Sequence, residues 1–122
     1  MSLRMQKINQ QLKRQITEII QRETDDPDLE FLSITAVRTT SDLQEAKVYY
    51  SLLNEEKYPK AKVALNKMKG FIRGALGKRV RLKVLPQLVF FPDESIRYSV
   101  DVYKKIEDIK EEDAQKRAQT DD

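Results

Sequence analysis

A chain of 122 residues is long enough for one small domain with its own core, and 39% hydrophobic with 35% charged residues places it at the charged end of the globular range. Cysteine and histidine are both absent, which excludes disulfides, thiolate metal sites and a cysteine nucleophile, and removes the commonest general base. The formal net charge is only +3, but the charges are distributed unevenly along the chain.

The N-terminus, MSLRMQKINQQLKRQ, contains no apolar h-region, and no run reaches the length of a membrane span, so a soluble, cytoplasmic protein is expected. Leu3, Met5, Ile8, Leu12, Ile16, Ile19 and Ile20 recur at helical spacing and predict an amphipathic helix over 3–23, with Ser2 as its cap. Pro27 disfavours helical geometry at Asp26 and ends that helix. Asp25, Asp26, Asp28 and Glu30 follow; they could be read as cation ligands, but a solvated helix exit is the expectation.

Residues 31–40 and 43–53 are rich in β-branched and aromatic side chains around a Thr-Ser-Asp turn and predict an antiparallel hairpin. In the second run Ala46, Val48, Tyr50 and Leu52 alternate with Lys47, Tyr49 and Ser51, the pattern of a half-buried strand. The first run alternates through Leu32, Ile34 and Ala36, then slips at Val37, which fits a bulge.

Pro59 suits the first turn of a second helix, with Val63, Ala64, Leu65 and Met68 as its inner face. Phe71, Ile72, Ala75, Leu76 and Val80 continue the period. Gly70, Gly74 and Gly77 each cost up to about 1 kcal/mol relative to alanine in a helix, so a break or kink is expected here. Pro86 closes the region, and 88–91 predicts a third strand, with Phe90 and Phe91 in the core or packed on the sheet. Ile96, Val100, Tyr103, Ile106 and Ile109 then predict a terminal helix fading into a polar tail. The expected architecture is α+β, with helices on one face of a small three-stranded sheet. Residues 1–93 form its single domain and 94–122 the appended helix and tail.

Residues 57–92 hold ten Lys or Arg and no Asp or Glu. Chance would have scattered several of the twenty carboxylates into such a stretch, and a cationic surface of this kind usually addresses a polyanion. A single Lys or Arg on a helix is often merely solvated; it is the group that carries the signal. Lys69, Arg73, Lys78, Arg79, Arg81 and Lys83 are the expected phosphate contacts, with Lys60, Lys62 and Lys67 extending the patch. Arg4, Lys7 and Arg14 on the first helix are secondary candidates. No catalytic residues, metal ligands or cofactor are expected.

The chain also resembles the ribosome-binding factor A family over roughly residues 4–92. The likeness rests on Asp26-Pro27, on Asp42-Leu43 with Ala46-Lys47-Val48-Tyr49, and above all on GFIRGALGKRVRLKVLPQLVFFPD from Gly70 to Asp93. It implies a KH domain of the second topological type, in the order helix, strand, strand, helix, helix, strand. It also implies a factor that binds free small ribosomal subunits and supports late maturation and processing of their rRNA, particularly in the cold. The expectation joined to it is a monomer that docks through rRNA by charge and backbone shape, without catalysis of its own. An ordinary KH domain clamps the nucleic-acid backbone with a GxxG loop between two helices. Gly74-Ala75-Leu76-Gly77 fits that motif on paper, but Ala75 and Leu76 share the apolar period with Phe71 and Ile72, which favours a helical interior. The family replaces GxxG by an Ala-x-Gly kink, which aligns with Met68-Lys69-Gly70, so the usual alanine is methionine here. The rival expectation is a protein-interaction module whose basic face meets an acidic protein; a carboxylate-and-metal nuclease ranks third.

Overall fold

A computed structural model of the chain describes residues 2–94, so the expected C-terminal helix and polar tail lie outside the described residues. Helix α1 (Leu3–Glu23) starts where the sequence places it, with the Ser2 hydroxyl accepting the Met5 N–H at 3.2 Å. Leu12, Ile16, Ile19 and Ile20 form its buried stripe, while Leu3, expected on that stripe, is 67% exposed, about two and a half turns before Leu12. Asn9 is a buried polar member that the apolar spacing does not reveal. Its Oδ1 accepts from the Thr39 N–H at 3.0 Å and from the Thr39 hydroxyl at 2.6 Å, fastening α1 to the end of the first strand.

After α1 the chain turns through Asp26, whose carboxylate accepts the Asp28 N–H at 2.9 Å and caps a short 3-10 turn, Pro27–Leu29. Strands β1 (Ser33–Thr39) and β2 (Glu45–Ser51) pair antiparallel with one register shift, between Ile34 and Ala36 and so ahead of the slip at Val37 that the alternation suggests; it turns Val37, and not Ala36, into the core. The turn between them is stabilised by Asp42, which accepts from the Thr40 hydroxyl at 2.7 Å and the Gln44 N–H at 3.1 Å. Those two bonds, the hydroxyl first, hold the Asp42 carboxyl below its ordinary pKa. Ala46, Val48 and Tyr50 are buried on the inner face of β2. Burial raises the Tyr50 pKa, and the neighbouring Tyr58, stacked at 6.1 Å, raises it further.

Strand β3 (Gln87–Pro92) lies parallel to β2, giving the sheet order β1-β2-β3. A parallel neighbour requires a crossover, and helix α2 (Tyr58–Arg79) provides it. Both helices contribute to one core with the inner face of the sheet. The sequence predicts two helices here; the structure has one, uninterrupted through Met68, Lys69 and Gly70. The energetics explain the correction. Three glycines cost roughly 3 kcal/mol at most relative to alanine, whereas burying Leu65, Ile72 and Leu76 is worth about 1.5–3 kcal/mol each. Breaking the helix would misplace Ile72 and Leu76, both fully buried. The inner face also differs from expectation: Ala61, Ala64, Leu65, Ile72 and Leu76 are buried, while Val63 is 67% and Phe71 49% exposed.

Candidate nucleic-acid interface

Winding at 3.6 residues per turn sorts the outer side of α2 into three bands. Lys60, Lys67 and Lys78 fall along one flank. Lys62, Lys69 and Arg73 fall along the other. Between the flanks run Gly70, Gly74 and Gly77, all exposed. Apart from Arg79, the expected phosphate contacts on this helix therefore fall in two cationic rows, and the strip between them, occupied by Val63 and Asn66 in the first half of the helix, is bare from Gly70 onward.

None of these glycines has a positive φ, so the backbone does not require them for its conformation. A Cβ at Gly70 or Gly74 would meet nothing within 4 Å. Alanine at either position is expected to stabilise the protein by about 0.5–1 kcal/mol in urea or thermal unfolding, which means the fold does not call for glycine there. Gly77 differs, because its Cβ would stand 3.0 Å from Leu85 Cδ2. A side chain there would require the Leu85 tip to shift by a few tenths of an ångström.

Arg73 holds the return segment, residues 80–86, in place. Its Nε donates to the Pro86 carbonyl at 3.0 Å and its Nη2 to the Leu85 carbonyl at 2.8 Å. The guanidinium fork suits two adjacent carbonyls, and a point-charge ammonium would not reproduce it. Arg81 and Lys83 are carried on this segment, both exposed. Arg73 thus has an intramolecular role that the sequence pattern did not reveal: it fixes the chain that displays two other cations.

Arg79 is also engaged within the molecule. Its guanidinium contacts Glu18 at 3.0 Å and Glu23 at 3.1 Å, and bonds Gln15 at 3.2 Å, tying the last turn of α2 to α1. Its charge is largely compensated. By contrast, Lys60, Lys62, Lys67, Lys69, Lys78, Arg81 and Lys83 have no ion-pair partner among the described residues. Arg4, Lys7 and Arg14 are exposed on α1, apart from the two rows.

The outer face of the sheet brings together a further group that the linear sequence could not join. Arg38 and Lys47 stand opposite one another across β1 and β2, and Tyr49 is in register with Phe91 across β2 and β3. The Tyr49 and Phe91 rings lie 5.8 Å apart, with the Arg38 guanidinium 6.0 Å from the Tyr49 centroid. Phe91 is therefore a sheet-packing residue, as expected, while Phe90 packs against the core.

Comparison with known proteins places the chain in a family. Residues 4–106 match the family model described as ribosome-binding factor A. Ribosome-binding factor A of Staphylococcus carnosus is 39% identical over 112 residues, covering 91% of this chain and 97% of that one. The crystal structure of ribosome-binding factor A from Thermus thermophilus superposes with a TM-score of 0.67 at 35% identity, over 72% of this chain and 94% of that chain. A homology model of Thermus thermophilus ribosome-binding factor A, fitted into a cryo-EM map of its complex with the 30S subunit, gives 0.61 at 36% identity, over 70% and 91%.

Proposed function

The chain belongs to the ribosome-binding factor A family, and from that premise we propose that it binds the free small ribosomal subunit through rRNA and assists late subunit maturation and rRNA processing, particularly in the cold. It acts by docking and by holding a conformation, with no chemical step of its own. The observation that carries this reading is the outer side of α2: two rows of cations without carboxylate partners among the described residues, with the helix between them bare from Gly70 to Gly77. Such a surface suits a ribose-phosphate chain, which gains charge-assisted contacts from both rows and can approach closely over Gly70 and Gly74.

The KH-type reading of the domain belongs to this proposal. A continuous α2 stands where an ordinary KH domain has two helices and a GxxG loop, and Gly74-Ala75-Leu76-Gly77 lies inside that helix. Backbone recognition on this account comes from a helix side and not from a loop. Gly70→Ala and Gly74→Ala, introduced together, should therefore weaken rRNA binding even as they stabilise the fold.

Sedimentation of a cell lysate through a sucrose gradient tests the proposal directly. The protein is expected to migrate with free small subunits and to leave that fraction after ribonuclease treatment. Migration with joined ribosomes, or retention of a protein partner after ribonuclease, would replace the rRNA reading with the rival one.

A further inference from the structure

A groove of about 760 Å³ lies where α1 passes into β1, with Leu53, just beyond β2, on its rim. Its lining combines the buried Ile20, Leu29 and Leu32 with Phe31 and Leu53, which are 73% and 97% exposed. The charged residues lining it are Asp25, Asp26 and Glu30, with no Lys or Arg.

Phe31 is the unusual member. Its φ is 64°, the left-handed region that favours glycine and penalises a bulky side chain. The neighbouring Leu29 and Leu32 are both buried, and the Leu32 N–H donates to the Leu29 carbonyl at 3.3 Å. A glycine at 31 would make this turn at lower cost. Phenylalanine there brings neither backbone ease nor core burial, and it sits beside the almost fully exposed Leu53. One strained residue and two exposed apolar side chains on one groove fit a surface that a partner covers.

We propose that this groove docks a Lys/Arg-rich segment of a small-subunit ribosomal protein that carries an apolar anchor residue. The inference rests on the small-subunit reading above. A ribosomal subunit offers two kinds of surface: anionic rRNA and the cationic extensions of its proteins. The carboxylates of Asp25 and Glu30 repel the first and attract the second, while Phe31 and Leu53 supply the apolar contact; Asp26 lies between this groove and the hollow it shares with Lys60 and Lys67. The molecule would then hold rRNA on α2 and a protein segment at this groove.

The test is photocross-linking with the full-length protein and purified small subunits, placing benzoylphenylalanine at Leu53 in one variant and at Lys67 in another. The Leu53 probe is expected to capture a Lys/Arg-rich segment of a ribosomal protein, and Phe31→Gly should lower that yield about fivefold or more, as loss of an apolar anchor does. Because glycine relieves the left-handed strain, unfolding would not account for the loss, and circular dichroism checks this. The Lys67 probe should capture rRNA in every case. Leu53 cross-links to rRNA, to a second copy or to the protein's own residues, or none at all while Lys67 still captures rRNA, would overturn the groove assignment alone. Silence from both probes would remove the small-subunit reading, and the groove assignment with it.

Discussion

Replacing Arg73 by methionine is expected to destabilise the protein by about 2–3 kcal/mol, the scale for losing two hydrogen bonds from a charged, half-buried donor. The methionine keeps most of the apolar stem, so the loss reports the guanidinium bonds to the Leu85 and Pro86 carbonyls. Urea unfolding at constant m-value measures the energy. Amide hydrogen exchange should show the damage concentrated in residues 80–86. Arg73→Lys should recover less than half of the loss, since an ammonium cannot span both carbonyls. A destabilisation within about 0.5 kcal/mol, the ordinary range for a surface change, would show that the clamp is incidental.

The same substitution would affect binding by an indirect route. Arg81 and Lys83 are displayed by the segment that Arg73 secures, so freeing it disperses two cations that are otherwise held near the helix. Their removal and the removal of Arg73 should therefore be non-additive in a double-mutant cycle.

Reversing the charge of Lys60, Lys67 and Lys78 together is expected to weaken binding to small subunits by about 100-fold or more at low salt. These side chains share one flank of α2 and have no ion-pair partner among the described residues, so stability should change by no more than about 1 kcal/mol. A large effect on binding with little effect on folding is the expected signature. Comparable losses in both would assign these lysines to the fold.

Much of this architecture was legible in the residues. The apolar stripe of α1 and the alternation in β2 carry their period in the chain and match observed elements, whereas the slip expected after Ala36 marks a bulge that in fact lies before it, between Ile34 and Ala36. The cationic stretch was legible too, because it depends only on local composition. The continuity of α2 was not. Glycine propensity argues for a break, and only tertiary burial of Ile72 and Leu76 settles the contest in favour of the helix. The roles of Arg73 and Arg79 were hidden for a related reason: their partners are carbonyls of a returning segment and carboxylates of another helix, at separations that no spacing rule encodes. Phe31 reads as the start of a strand, since neither its left-handed backbone nor its exposure leaves a mark on the pattern.

The central claim is that phosphates meet the outer side of α2, and counterion release reports on this most directly. The affinity of the native protein and of the Lys60→Ala, Lys67→Ala, Lys78→Ala triple variant for purified small subunits should be measured across a salt series. If all three lysines contact phosphate, the slope of log affinity against log salt should become shallower by about 2–3, at roughly 0.7–0.9 per contact. An unchanged slope would mean that this face of the helix is solvated and that the protein grips its target elsewhere.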